Sequence, residues 1–155
     1  MKGESFMNFR QATIEDVELL VALRKQQLVD EGLIPNGDIT VELTNFFTQQ
    51  LSSNSYTQVL ALNANGEIEA TGAIIYYAFP PSYYNHSGIR GYIANMYTLT
   101  PYRGKGLATK VLDQLVLDAK SKHVQKLFLY GSEMGKPVYK RYGFEFVDAY
   151  MEYTI

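Results

Sequence analysis

Apolar positions along the chain alternate between a period near two and a period near three and a half, and each change of period marks an element. Phe9 to Ala12 is a short strand. Thr13, with Asp16 three residues later, is a helix entry, and Val17, Leu20, Val21, Leu23 and Leu28 then recur at helical spacing up to a stop near Gly32. Pro35 and Asn36-Gly37 make 32–38 a loop. Thr40 caps a second helix that carries Val41, Leu43, Phe46, Phe47 and Leu51. Strands follow over Thr57–Asn63 and Ile68–Phe79, joined by the turn pair Asn65-Gly66 and stopped by Pro80-Pro81. Ile89–Leu99 is the next strand, and Leu107–Lys122 is a helix with Leu107, Val111, Leu115 and Ala119 on one side. A strand at Lys126–Tyr130, a short helix at Lys136–Tyr142 and strands near Phe144–Val147 and Ala149–Thr154 complete the pattern. The fold class expected is α/β, a mixed twisted sheet with helices on both faces.

One turn in this pattern carries chemistry. Thr100-Pro101-Tyr102-Arg103-Gly104-Lys105-Gly106-Leu107-Ala108-Thr109 joins an apolar strand to an amphipathic helix. The first turn of a helix leaves amide protons without partners, and the aligned peptide dipoles add partial positive charge there, so the site suits an anion. Gly104 and Gly106 let the backbone approach phosphate oxygens, Arg103 and Lys105 add full charge, Ala108 keeps the entrance small, and Thr109 offers a hydroxyl. A nucleotide-binding P-loop is excluded, because neither Gly104-Lys105 nor Gly135-Lys136 has a glycine five positions earlier or a Ser/Thr after the lysine. A dinucleotide fingerprint fits poorly, since Gly104-x-Gly106 lies two-thirds of the way along the chain instead of in its first βαβ unit.

Read as Arg-x-x-Gly-x-Ala from Arg103 to Ala108, the turn resembles the acyl-CoA-binding signature of the GNAT N-acetyltransferase family. Ser132 to Phe144, a helix with a tyrosine closing on Gly143-Phe144, is similar to the family's later segment, and the resemblance runs from about Asn8 onward. It implies a GNAT-like acyl-CoA N-acyltransferase fold, with acetyl-CoA as cosubstrate and direct attack by an amine on the thioester. The pantetheine arm would lie between two splayed strands, held by backbone groups of Met96, Tyr97 and Leu99. Arg103, Gly104, Lys105, Gly106, Leu107, Ala108 and Thr109 would hold the pyrophosphate. Tyr139, four residues before Gly143, would give a proton to the leaving thiolate; a phenol, protonated at neutral pH, suits that task. The plainer reading of Tyr139 is packing under the cofactor. Ser132 stands where many members carry an asparagine facing the pantetheine or phosphate arm, and its alternative is to cap the following helix.

The general base is not legible. Members with an identified base often carry a glutamate on the strand before the turn, yet Arg90 to Leu99 contains no Asp or Glu. An ammonium of pKa near 10 must still lose a proton, and water relayed through backbone carbonyls, Asn95 or Tyr97 is the route expected. Asp30, Glu31 and Asp38 read first as solvated surface charge and second as an attraction for a cationic amine; His86 reads the same way, and His123 complements a helix dipole. Tyr76-Tyr77-Ala78-Phe79 and Tyr83-Tyr84 are either packing aromatics or the wall of a substrate cleft.

Composition narrows the rest. The 155 residues, 46% hydrophobic and 19% charged, suit one domain over 8–155 preceded by a short flexible leader over 1–7. A net charge of −2 leaves no footprint for nucleic acid. With no cysteine there is no disulfide, thiolate-metal site or cysteine acyl-enzyme, and no metal is called for. No apolar run is long enough for a membrane span and no secretory signal core is visible, so a cytoplasmic location is expected. The expected function is transfer of acetyl from acetyl-CoA to a primary amine of a small molecule or peptide. The alternative is a non-catalytic acyl-CoA-binding sensor or interaction module. A homodimer is left open, since Ala149 to Ile155 carries no decisive signal.

Overall fold

The computed structural model describes residues 7–155, so the expected leader lies, Met7 apart, outside the described residues. Strand β1 (Asn8–Gln11) leads through a 3-10 turn (Ile14–Asp16) into α1 (Val17–Asp30), and α2 (Thr40–Leu51) follows. Next come β2 (Tyr56–Leu62), β3 (Ile68–Ala78) and β4 (Ile89–Thr98), a second 3-10 turn (Thr100–Tyr102), α3 (Leu107–Ser121), β5 (Leu127–Leu129) and α4 (Lys136–Tyr142). The strands form one sheet in the order β1-β2-β3-β4-β5, antiparallel through β4 and parallel between β4 and β5.

Period-two alternation divides β2 between two cores. Val59 and Ala61 face α3, where Val111, Leu112, Leu115 and Ala119 bury their stripe, while Tyr56, Leu60 and Leu62 face α1 and α2 with Leu20, Val21 and Phe47. Every residue of β2 is therefore buried, as a central strand covered on both faces must be. The entry to α1 is fixed by charge as well as by packing. Buried Asp16 accepts two bonds from Arg10 at 2.8 Å and one from the Thr13 amide at 2.7 Å, and the Arg10 bonds foremost hold its carboxyl down at about 2.

Three expectations are corrected. The strands anticipated at Phe144–Val147 and Ala149–Thr154 do not form; every residue from Glu145 onward is exposed and pairs with no strand among the described residues, since alternation alone does not specify a partner. Thr40 does not supply the cap of α2: Asp38 accepts the Thr40 amide proton at 3.0 Å, and the Thr40 hydroxyl, together with Lys25, draws its carboxyl down to about 2. Val41, counted among the apolar residues that helix carries, is exposed.

Candidate functional site

Strand β5 pairs with β4 over Gly91, Tyr92 and Ile93, and among the described residues the last five residues of β4 have no strand partner on that side. The parting coincides with an irregularity on the other side of β4, where the β3 register shifts between Thr71 and Ala73 and Asn95 takes a φ of +53°. Asn95 is held there by donating to the Tyr56 hydroxyl at 3.2 Å, which donates in turn to Gln58. The resulting cleft, about 630 Å³, runs from the C-terminal end of α1 past β4 to the mouth of α3 and the start of α4.

At the α3 mouth both glycines have a φ of +76°, and nothing stands within 4 Å of the space a Cβ would take at either. Gly106 is the residue at which the helix begins, and Lys110 is the first amide to bond back, reaching the Gly106 carbonyl at 3.3 Å. The amides of Leu107, Ala108 and Thr109 belong to the first turn and have no intrahelical acceptor. The guanidinium of Arg103 is steadied from the strand side: its Nε donates to the Thr98 carbonyl at 3.0 Å and Nη2 lies 3.6 Å from Asp30. These groups form an anion socket of amide protons, dipole and one oriented cation.

Most residues singled out in the sequence line this one cleft: Met96, Tyr97, Arg103, Gly104, Gly106, Leu107, Ala108, Thr109, Ser132 and Tyr139. Leu99 and Lys105 do not. The Leu99 amide is committed to the Glu69 carbonyl at 3.0 Å and its carbonyl accepts from Tyr102, while Lys105 is exposed with its ammonium 5.5 Å from the Tyr102 ring. Ser132 does not hold the cap position of α4, which is Gly135; its hydroxyl accepts from the Gly135 amide at 3.1 Å in the turn before that helix. The Tyr97 phenol donates to Asp30 at 2.5 Å and, through burial first and that bond second, is pushed up to about 12. Asp30 is correspondingly held below the usual carboxylate range, by Tyr97 first and Gln26 second.

Tyr139 is half-buried, its ring edge-on to Phe144 at 5.8 Å. Burial first, then the nearby charge of Glu31, pushes its phenol up to about 12, so it keeps its proton, and with it a donor, throughout the neutral range.

The sequence reading did not single out Gln27, and it took Asp30 and Glu31, which line the cleft, first as solvated surface charge. Gln27 stands seven residues after Leu20, on the buried face of α1, and is 4% exposed. A polar side chain two helical turns after a core leucine was the available signal, since a group buried there must find partners inside. It finds two, the Glu31 carboxylate at 2.9 Å and the Met96 carbonyl at 3.3 Å.

Comparison with known proteins bears on this arrangement. The family model described as the acetyltransferase (GNAT) family matches residues 23–144. Among solved structures, a predicted acetyltransferase from Clostridium acetobutylicum, crystallised with acetyl-CoA, is 46% identical over 96% of either chain, with a TM-score of 0.92. A GCN5-related N-acetyltransferase from Ralstonia eutropha JMP134 is 22% identical over 97% of this chain and 99% of its own, with a TM-score of 0.84. Glucosamine-6-phosphate N-acetyltransferase from Arabidopsis thaliana is 20% identical over 96% and 98%, with a TM-score of 0.71. The last two share the fold alone. No curated protein matches.

Proposed function

Because the chain belongs to the acetyltransferase (GNAT) family, we propose that it transfers acetyl from acetyl-CoA to a primary amine of a small molecule or peptide, by direct attack within a ternary complex. The observation that carries this reading is the glycine-edged mouth of α3 opening where β4 and β5 part. Gly104, Gly106 and the amides of Leu107, Ala108 and Thr109 would take the pyrophosphate, with Arg103 beside them. The free edge of β4 at Met96 and Tyr97 would take the pantetheine arm by strand-like pairing, the mode in which an extended ligand adds to an open sheet edge.

In the transfer, the neutral amine forms a bond to the thioester carbonyl carbon and the carbon–sulfur bond breaks. One proton of the ammonium leaves for solvent before attack. A second leaves the nitrogen after attack, and the sulfur gains one from the Tyr139 phenol, which is then reprotonated. The phenol is protonated at neutral pH and so available to the leaving sulfur, whose ordinary pKa of roughly 8–9 lies below its own. Among the described residues no group of acidic and histidine side chains is arranged to hold a metal, and the proposed chemistry does not call for one. No helix among them is long and apolar enough to cross a membrane; a cytoplasmic location belongs to this reading and suits the cysteine-free sequence.

The lack of a carboxylate on β4 favours a second reading, an acyl-CoA-binding module without catalysis. Tyr139 and Glu31 lining the same cleft favour transfer. Incubating the protein with acetyl-CoA and a panel of primary amines separates the two: transfer releases free thiol and adds one acetyl mass to an amine, whereas a binding module releases no thiol above the protein-free rate.

A further inference from the structure

The cleft has two chemically unlike ends. At the α3 mouth stand amide protons and Arg103; at the other end α1 terminates in Asp30 and Glu31, its closing carbonyls of Gln27, Leu28 and Val29 already taken by the amides of Glu31, Leu33 and Gly32. The two carboxylates are not equivalent. Asp30 is occupied, accepting from Tyr97 at 2.5 Å and Gln26 at 2.8 Å and facing Arg103 at 3.6 Å. Glu31 has no cation within 4.0 Å among the described residues, and one of its oxygens accepts from Gln27 at 2.9 Å, which leaves the other to the cleft it lines.

Gln27 makes this more than an exposed glutamate at a helix end. Its buried amide nitrogen has two protons, and it gives one to Glu31 and the other to the carbonyl of Met96, the residue after the left-handed Asn95. A lysine of similar reach would neutralise Glu31, and an apolar side chain would leave the Met96 carbonyl without that partner. The amide fixes a carboxylate and a carbonyl near one another while leaving the negative charge intact.

We propose that Glu31 binds the protonated amino group of the acceptor and that Gln27 is the positioning residue that holds Glu31 beside the Met96 carbonyl. The inference rests on the proposed acetyl transfer and adds the substrate class. An ammonium gains from a charge-assisted bond to the Glu31 carboxylate. A carboxylate on the carbon next to that ammonium would be repelled by Glu31. The class favoured is alkyl primary amines without a neighbouring carboxylate, including lysine side chains and peptide N-termini, over free α-amino acids.

The test is steady-state thiol release at saturating acetyl-CoA, with phenethylamine, cadaverine, lysine amide and phenylalanine as probes, on wild type, Glu31→Gln and Gln27→Met. Circular dichroism and acetyl-CoA titration accompany each variant. Wild type should use phenethylamine at least about tenfold better than phenylalanine. Glu31→Gln should raise the KM for the amines about tenfold or more while changing kcat less than about threefold, leave the KM for acetyl-CoA in place, and narrow the gap to phenylalanine. Gln27→Met should move amine KM the same way by a smaller factor, about threefold to tenfold. An active wild type whose amine KM is unmoved by Glu31→Gln overturns the inference and leaves the transfer reading standing. A wild type that binds acetyl-CoA and acetylates none of these amines overturns the transfer reading, and the inference falls with it.

Discussion

The phenol of Tyr97 donates to the carboxylate of Asp30 at 2.5 Å, and the same Asp30 oxygen lies 3.6 Å from the guanidinium of Arg103. One carboxylate at the end of α1 thus ties a β4 side chain to the cation beside the α3 mouth. The tie orients Arg103 and leaves its charge only partly offset, since the pair is solvent-accessible and such pairs are screened.

Arg103→Ala is expected to weaken acetyl-CoA binding about tenfold or more, the scale of one charge-assisted phosphate contact of roughly 1.5–3 kcal/mol. Titration calorimetry reads this directly. Unchanged affinity with lowered thermal stability would make Arg103 a structural link between Thr98 and Asp30 and remove it from the anion socket.

Tyr139→Phe keeps the ring against Phe144 and deletes the proton that the leaving sulfur is proposed to take. Turnover should drop by about 10²-fold or more, within the range for a positioned general acid, with acetyl-CoA affinity within about threefold of wild type. Wild-type turnover at saturating cosubstrate would reduce Tyr139 to packing.

Gly106→Asp places a carboxylate and a Cβ in the socket at a backbone φ of +76°. Binding of acetyl-CoA should be lost. Gly106→Ala isolates the backbone part, costing about 1 kcal/mol in stability for the left-handed conformation and less in binding. Both are measured by titration beside thermal denaturation; a folded Gly106→Asp protein that binds normally would move the socket elsewhere.

Stability should depend on acid through Asp16. Its folded carboxyl titrates at about 2, below an unfolded value near 3.9, so its contribution is complete above the unfolded value and is lost as pH falls from about 4 toward 2. Asp16→Asn should cost about 1–2 kcal/mol at pH 7 and flatten that part of the Tm-against-pH curve. A variant that retains the full acid slope would assign it to other carboxylates.

The sequence was most informative where local chemistry decides the outcome. Gly104, Gly106 and the apolar stripe from Leu107 to Ala119 define the mouth and body of α3 without reference to the rest of the chain, and the α4 span Lys136–Tyr142 is marked by Pro137 and by Gly143 beyond it. Where a residue's role depends on a distant partner, pattern did not reach it. Gln27 is 69 positions from the Met96 carbonyl that it meets, and Tyr97 67 from Asp30, so neither pairing leaves a periodic trace. Residues 145–155 alternate like strands yet pair with no strand among the described residues, since pattern specifies a face and not a neighbour.

The most direct test of the account is isothermal titration of the protein with acetyl-CoA, with ATP and NAD titrated in parallel. The α3 mouth and the parted strands predict micromolar binding of acetyl-CoA, lost in Gly106→Asp, with at least about tenfold weaker binding of ATP and NAD. Absence of acetyl-CoA binding, or equal binding of all three, would contradict the assignment of this cleft to an acyl-CoA donor.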